Sequence, residues 1–417
     1  MIDRPRTSDD DASRPPLTGR QKALLAAVLA AALVVRVAFA VALPQLDSHP
    51  DAASYDRMAL QLVQGQGYDY NDKRFLVLPV LPLSLAATFG LLGHVHVAFH
   101  ILEAVLGVLA CLVTFLIGLR LWRFRVATLA AAAVAVHPVL GYICGYINTE
   151  AFLVLLVPLA ALAALPALTR RGIAAPAIAG LVLGVAALTK AVALLGAPLL
   201  PLFYLARHDL PVARRLAGAL LYGVCIALVL SPWVLRNYLL TGHVFLSCQT
   251  GYILYHGNDL PTAGSLGKTA RQESWERLRQ VLLDAGVTRG DELGVNRALT
   301  RAALRGFREQ PLSHLALVAR KWGRLWYKTE EGRGVEPFLF ALHYTAILLA
   351  CVGCWDAWRR RAPGPLLLGV WILVFWFAHG FFVAIARLSV PMLPLLALLA
   401  SAGLFALLPD EQPKPAP

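Results

Sequence analysis

Residues 23–68 read ALLAAVLAAALVVRVAFAVALPQLDSHPDAASYDRMALQLVQGQGY, an apolar run followed at once by an amphipathic segment. The run 23–43 has about the 20 residues that a helix needs to cross a membrane. In the next segment, five apolar residues recur at helical spacing and would share one face: Tyr55, Met58, Ala59, Leu62 and Val63. The pattern predicts a membrane span followed by a short helix lying on the membrane, which ends at the glycines 65 and 67.

One acidic residue is unusually placed in this segment. Asp51 lies one helical turn before Tyr55, on the apolar face, whereas Asp56 and Arg57 take the polar face. A carboxylate on an apolar face is costly unless it has a partner or a task. Its position directly after Pro50 is also typical of an ordinary acid in the first turn of a helix. The costly placement makes Asp51 the first candidate for chemistry.

The rest of the chain has the composition of a membrane protein. Of its 417 residues, 58% are hydrophobic and 15% are charged. The run 173–206 is too long for one ordinary span, and we divide it at Lys190. The stretch 75–93 is broken by prolines, and we interpret it as interfacial or re-entrant. Ten spans are then predicted: 23–43, 97–119, 126–142, 150–168, 173–188, 192–206, 214–234, 337–356, 364–384 and 389–408.

The basic loops predict the orientation of these spans. With ten spans, the short arginine-containing loops near residues 120–125, 170–171, 207–215 and 359–361 all fall on one face, together with both termini. Such loops are typical of the cytoplasmic side, so we expect both termini to be cytoplasmic and the loop 44–96 to face outward from the cytoplasmic membrane. The net charge of +13 is explained by these loops and by contact with anionic lipids. It indicates no nucleic-acid partner.

The predicted organisation has five parts. Residues 236–335 form the only sizeable extramembrane piece, with helices near 268–285 and 291–308 and a surface helix from Pro311 to Tyr327. The parts are a disordered cytoplasmic tail (1–20), an N-terminal transmembrane catalytic module (21–235) with the outer loop 44–96, an outer helical cap (236–335), C-terminal transmembrane helices (336–409) and a second tail (410–417).

Two further charged residues lie where apolar segments begin or end. Glu150 begins a predicted span after Asn148 and Thr149. It is either a site residue or an ordinary acid at a helix start that one of those two residues caps. Lys190 lies at a predicted outer turn, where it is either a site cation or a lysine that reaches from the apolar region to water.

Other polar and aromatic residues cluster near predicted span ends. Lys73 and Arg74 could meet a phosphate at the membrane surface, although charges that merely flank a membrane segment have the same pattern. The further candidates for binding a sugar or a lipid phosphate are Tyr55, Trp233, Arg236, Tyr252, His256 and Asn258. Trp233 and Arg236 also fit an interfacial belt, and the last three also fit an ordered turn.

Motifs for several other chemistries are absent from the sequence. There is no phosphate-binding loop of the Walker type, no Gly-x-Ser-x-Gly elbow and no His-Glu-x-x-His. The pair Cys351 and Cys354 lies inside a predicted span, which argues against a metal or redox role. We therefore expect an activated substrate that brings its own leaving group. No metal site is indicated, and the sequence leaves a divalent metal cofactor open.

Taken in order, these residues resemble the polytopic glycosyltransferases of the GT-C fold. The resemblance is to the bacterial family 39-like group that includes the aminoarabinose transferases and is related to protein O-mannosyltransferases. It rests on motifs in the following order: Asp51…Tyr55…Gly65-x-Gly67-Tyr68, Pro79/Pro82, Thr149-Glu150, Gly184-x-x-x-Leu188-Thr189-Lys190, Pro232-Trp233-x-x-Arg236-Asn237, Gly257-Asn258 and Glu309-Gln-Pro311.

The resemblance implies a fold and an activity. It implies an all-α bundle of about ten transmembrane helices with a small outer cap, and an inverting transfer of a sugar from a polyprenyl-phosphate donor. Asp51 would be the general base, and Lys190 would bind the lipid phosphate, with Lys73 or Arg74 as a secondary partner. Glu150 is kept as a second candidate catalytic residue. The family often has a second acid after the loop aspartate, where this chain has Ala52. This departure leaves the acceptor open: a lipid, a glycan or a protein.

Two other classes of protein remain alternatives at this point. A transporter or flippase for a lipid-linked or anionic substrate would show internal repeats and ionisable groups at mid-membrane depth. A multispan polysaccharide ligase or polymerase would carry its key basic residues in the large late loop. In this chain the notable charges cluster at predicted outer boundaries, and the best carboxylate lies in the first loop. Membrane lipids are expected partners in every case.

Overall fold

The computed structural model describes residues 16–42, 50–69, 73–169, 172–265, 267–288, 290–330 and 334–408. Within these ranges the regular elements are helices, and no strand occurs in them. The predicted all-α class is therefore confirmed. Most of the first predicted tail (residues 1–15), all of the second (410–417) and the arginines 170 and 171 lie outside the described residues.

The helices of the first part follow one another closely. In chain order they are α1 (Gly19–Ala42), α2 (Pro50–Val63), α3 (Val80–Leu92), α4 (His96–Leu121), α5 (Phe124–Ala135), α6 (Pro138–Tyr142), α7 (Glu150–Thr169), α8 (Ala174–Thr189), α9 (Leu199–Leu205) and α10 (Val212–Thr241). A 3₁₀ turn, Ala191–Gly196, joins α8 to α9.

The second part begins with shorter helices and returns to long apolar ones. In chain order they are α11 (Thr250–Gly257), α12 (Lys268–Asp284), α13 (Glu292–Glu309), α14 (Pro311–Arg324), α15 (Glu336–Arg359), α16 (Pro363–His379), α17 (Ala386–Ser389) and α18 (Leu393–Leu407). Helices α12, α13 and α14 lie where the sequence predicts the helices of the cap. The division of the chain into five parts stays a prediction.

Six helices in the described residues are long and apolar enough to cross a membrane. They are α1, α4, α7, α10, α15 and the continuous stretch Ala386–Leu407. The pair α5 and α6, bent by 50°, would make a seventh. The other three predicted spans correspond to the shorter apolar helices Ala174–Thr189, Ala191–Leu205 and Pro363–His379. A multi-span membrane protein is confirmed, and the number ten stays a prediction.

A buried arginine stabilises the bend that Pro138 makes between α5 and α6. Pro138 has no N–H to donate to the carbonyl of Val134, so the helix cannot continue unbroken. Arg36 of α1, which is 1% exposed, donates through Nη2 to Val134 O at 3.1 Å and through Nη1 to Ala135 O at 3.0 Å. The guanidinium thus satisfies carbonyl groups that the break would leave unpaired in a lipid environment.

Small residues bring α15 and α18 into close contact. A Cβ atom at Gly403 would overlap the carbonyl oxygen of Leu349, and one at Gly353 would overlap that of Leu399. Where no hydrophobic effect drives helices together, such small residues allow close van der Waals packing. The two glycines therefore fix the distance at which the C-terminal helices pack.

Replacing Gly403 with valine should lower the thermal stability of the protein. The added side chain must push the two helices apart, and overpacking of this kind typically costs about 1–3 kcal/mol. Thermal unfolding of the protein in detergent would measure the change in Tm. Gly223→Val is the matched control, because nothing lies within 4 Å of a Cβ at that helical glycine. Equal Tm values for the two variants would contradict the packing argument.

Candidate functional site

Helix α2 carries Asp51 and is held by packing on one face. Its Ala52 and Ala59 are fully buried against Leu81 and Leu85 of α3. The helix ends as the sequence predicts, because Gly65 adopts a positive φ of 71° that favours glycine. At Ala52, where the resembled family often has a second acid, an acidic side chain would enter an apolar cluster.

Asp51 is accessible and faces a cation. Its side chain is 46% exposed, and its Oδ2 lies 3.8 Å from Nη2 of Arg387. The residues that α2 buries include Ala52, Met58 and Ala59. In the sequence, Asp51 was singled out by the energetic cost of a carboxylate on an apolar helix face. That cost is relieved in the structure, because the carboxylate is partly solvated and has a charged partner.

Glu150 forms a buried ion pair at the start of α7. Its side chain is 3% exposed, and its Oε1 accepts a hydrogen bond from Lys190 Nζ at 2.9 Å. Asn148 Oδ1 accepts from the backbone N–H of Ala151 at 3.0 Å and so caps the helix. The predicted cap is therefore Asn148. Glu150 meets Lys190, and its role as a site residue stays a prediction.

Lys190 is positioned by the end of α8. Its backbone N–H donates to Ala186 O, and the residue itself adopts an extended conformation, which ends the helix. Its side chain, 22% exposed, turns into the protein to meet Glu150. The residue predicted from an interrupted apolar run is thus placed beside the acid predicted from a span start, 40 residues earlier in the chain.

Arg387 lies at the centre of the site and was not predicted. Its guanidinium group lies within 3.8 Å of three carboxylates: Asp51, Glu150 at 3.6 Å and Glu330 at 3.4 Å. It also donates to the hydroxyl of Tyr146 at 3.3 Å. A signal was present, because Arg387 is the only Asp, Glu, Lys or Arg between residues 362 and 408. An isolated charge within an apolar run is also the feature that identified Lys190.

These side chains line one cavity. Polar groups enter it from α2, from the loop before α7, from the end of α8 and from α17. Its lining consists of Asp51, Tyr55, Val77, Leu78, Ile147, Asn148, Thr149, Glu150, Thr189, Lys190, Gln249 and Arg387. The structure therefore brings together four of the predicted site residues, namely Asp51, Tyr55, Glu150 and Lys190.

Five other predicted binding residues form a second group, anchored by Glu292. The carboxylate of Glu292 accepts hydrogen bonds from the backbone N–H groups of Arg74 at 2.6 Å and Phe75 at 3.1 Å. Burial raises the pKa of this carboxyl group, and those two hydrogen bonds oppose the rise. The five members are Lys73, Arg74, Trp233, Arg236 and Tyr252.

Members of this second group contact one another through side chains and through the backbone of Arg74. Lys73 Nζ donates to the Tyr252 hydroxyl at 3.2 Å, and Arg236 Nη1 donates to Arg74 O at 3.3 Å. The Arg236 guanidinium also lies 4.5 Å from the centre of the Trp233 ring, within the range of a cation–π interaction. None of the five lines the cavity that contains Asp51, and their binding role stays a prediction.

Asn258 and His256 make internal contacts. Asn258 Oδ1 accepts from Lys321 Nζ at 2.8 Å, and its amide donates to Phe381 O at 2.7 Å. Asn258 thereby joins α11, α14 and the segment after α16. His256 Nδ1 lies 2.7 Å from Ser274 Oγ of α12. A role of either residue in binding substrate stays a prediction.

The stability of the protein should depend on the ionisation of Lys321. Burial lowers the pKa of its ammonium group from 10.5 to about 7. Above about pH 7 the folded state therefore releases a proton that the unfolded state keeps, so stability should rise with pH up to about pH 10, by at most about 1.4 kcal/mol per unit. Measuring Tm between pH 7 and 9 tests this.

Two variants isolate the contribution of Lys321 to this pH dependence. The rise of Tm with pH should be smaller in Lys321→Met than in the wild type. It should be unchanged in Lys22→Met, because Lys22 is exposed. A pH dependence identical in all three proteins would show that the buried lysine keeps its ordinary ionisation.

Comparisons with known proteins agree with this architecture. Residues 77–235 match the family described as dolichyl-phosphate-mannose-protein mannosyltransferase. The matched region contains Glu150 and Lys190, and it ends before Arg387. No curated protein is similar enough in sequence to match the chain.

Solved structures show the same fold. The oligosaccharyltransferase of Archaeoglobus fulgidus in its apo form is similar with a TM-score of 0.59 and 17% identity, over 92% of this chain and 50% of that chain. Its complex with an inhibitory peptide and a dolichol-phosphate is similar with a TM-score of 0.56 and 16% identity, over 93% and 51%. This chain therefore spans about half the length of those enzymes. The predicted GT-C fold is confirmed.

A third structure is more distantly similar. It is ArnT from Cupriavidus metallidurans bound to undecaprenyl phosphate, with a TM-score of 0.45 and 17% identity over 93% of this chain and 78% of that chain. At that score the similarity adds nothing to the fold assignment.

Proposed function

We propose that this protein is an inverting glycosyltransferase that moves a sugar from a polyprenyl-phosphate donor to an envelope acceptor. The observation that carries the proposal is the cavity in which the accessible carboxylate of Asp51 lies beside Arg387 and near Lys190. The family match and the fold support the same reaction class. We propose that the reaction takes place on the outer face of the cytoplasmic membrane. The arginine-containing loops support this orientation, since such loops favour the inner side.

The two cations would bind the phosphate of the donor. Lys190 and Arg387 share Glu150 as a counter-ion, and their side chains are 22% and 19% exposed. Part of each cation therefore faces the cavity and can meet a phosphate oxygen, and a guanidinium can do so with two parallel hydrogen bonds. Glu150, 3% exposed, would be a positioning residue that holds Lys190 and Arg387 in place. A solved relative of similar fold was obtained with a dolichol-phosphate, which fits this assignment.

Asp51 would act as the general base. The acceptor hydroxyl would attack the anomeric carbon of the sugar and give its proton to the Asp51 carboxylate. The bond between that carbon and the phosphate oxygen would break on the opposite side, so the configuration is inverted. The departing polyprenyl phosphate carries the extra negative charge, which Arg387 and Lys190 would stabilise as it develops.

Replacing Asp51 with asparagine should abolish most of the transfer while leaving the donor bound. The amide keeps the shape of the side chain and cannot accept the proton, so the rate should fall by about 10²- to 10⁴-fold. Mass spectrometry would follow sugar transfer from a panel of polyprenyl-phosphate sugars, including mannose, by protein in lipid nanodiscs. Asp284→Asn, an exposed acid on α12, is the control. Transfer by Asp51→Asn at the wild-type rate would refute the base assignment.

Replacing Arg387 with glutamine should weaken the binding of the lipid phosphate. A hydrogen bond to a charged group is worth about 1.5–3 kcal/mol, so the Kd should rise about 10- to 100-fold. Titration with undecaprenyl phosphate alone would measure this directly, and Lys190→Gln should show a change in the same direction. Unchanged affinity in both variants would contradict the phosphate assignment. Transbilayer movement of the lipid without sugar transfer would favour the flippase alternative.

A further inference from the structure

A second cluster of chemically reactive side chains lies on the polar side of α2. It consists of Asp56, His94 and His96. Asp56 Oδ1 lies 2.7 Å from His94 Nε2 and 2.7 Å from His96 Nε2, and the two imidazole nitrogens are 3.2 Å apart. None of the three lines the cavity around Asp51, so the proposed transfer reaction leaves the cluster without a role.

The turn between α3 and α4 holds the two histidines side by side. Gly93 ends α3 with a positive φ of 80° and donates its N–H to Phe89 O, and Val95 N donates to Gly93 O at 2.8 Å. The buried ring of Phe89 packs against His94 at 4.7 Å and His96 at 5.9 Å between ring centres. The imidazoles are thus oriented by the backbone turn and by one aromatic contact, before any ligand binds.

The arrangement has the donor set of a transition-metal site. Two imidazole nitrogens and one carboxylate oxygen are typical ligands of zinc, with water completing a tetrahedron. Ligand atoms about 2.0–2.1 Å from a tetrahedral zinc ion lie about 3.3 Å apart. The present separations of 2.7 to 3.2 Å need to open by at most about 0.6 Å, which small rotations of the side chains supply.

We propose that Asp56, His94 and His96 bind a divalent transition-metal ion, with zinc as the best match. The side chains are 20%, 44% and 33% exposed, so an ion can reach them from solvent and keep a water ligand. The metal would join α2 to the start of α4, because Asp56 lies on α2, His94 lies in the α3–α4 turn and His96 is the first residue of α4.

The position of the metal gives it a structural role near the proposed active site. Asp51 and Asp56 lie on the same helix, five residues apart. A metal that fixes Asp56 would therefore also fix the end of α2 that carries Asp51. Any effect on sugar transfer rests on the proposed function, whereas metal binding itself does not.

Zinc binding to the full-length chain tests the proposal. The protein would be purified in nanodiscs with an affinity tag that lacks histidine, stripped with a chelator and titrated with ZnCl₂ against a chromophoric chelator. We expect one zinc ion per chain by elemental analysis. Removing a residue that only hydrogen-bonds to a metal ligand typically lowers metal affinity 10- to 100-fold. The double variant His94→Ala/His96→Ala removes two ligands themselves, so its zinc affinity should fall by at least about 100-fold.

Two further variants keep this test decisive. Asp56→Asn preserves the size of the side chain and should also lose most of the affinity, even if the double variant fails to fold. His208→Ala removes an exposed histidine elsewhere and should bind like the wild type. The absence of stoichiometric zinc in the wild type, or equal affinity in Asp56→Asn, would overturn the proposal.

Hydrogen exchange tests the structural role separately. Zinc should slow backbone exchange in the segment 50–65 of the wild type and leave it unchanged in Asp56→Asn. Zinc that binds without slowing this exchange would refute the proposal that the metal fixes α2. A protein that binds zinc and transfers no sugar would refute the proposed function and leave the metal site standing, so the two failures are distinguishable.

Discussion

The buried carboxylate of Glu150 is the group on which the geometry of the site depends. It begins α7, and its partners come from the end of α8 and from α17. An isolated charge at such depth would cost several kcal/mol, and removing one partner of a buried pair typically costs about 3–5 kcal/mol. Lys190 and Arg387 must therefore stay close to Glu150, which fixes the ends of three helices at one point. The cavity beside Asp51 exists because these helix ends meet there.

The same need for paired polar groups explains how the break between α5 and α6 is stabilised. Pro138 interrupts the bent apolar pair α5 and α6, and its missing N–H would leave a carbonyl oxygen unpaired. Arg36 of α1 meets this need from another helix. The guanidinium fills the space beside Gly107, where a Cβ would overlap it. Charges inside the described bundle are thus bound to backbone or to opposite charges, as a medium of low dielectric constant requires.

Much of the site could be anticipated residue by residue, and its assembly could not. Periodicity predicted helix α2 and singled out Asp51, and interruptions of apolar runs singled out Lys190. The same signal was present at Arg387 and was not used. Asn258 and Lys73 had equally suggestive sequence contexts, and the fold places them outside the cavity of Asp51, in contact with Lys321 and Tyr252. Asp56 was assigned to a polar helix face, and only the fold places it 2.7 Å from histidines 38 and 40 residues later in the chain.

The sequence by itself determined that this protein is a helical membrane protein and where along the chain its long apolar helices lie. These properties follow from local hydrophobicity and from the conformational limits of proline and glycine, which act over a few residues. The tertiary structure decided which charges meet and which polar residues face a common cavity. Those properties depend on contacts between distant segments, because a buried charge is tolerated only where the fold supplies its partner.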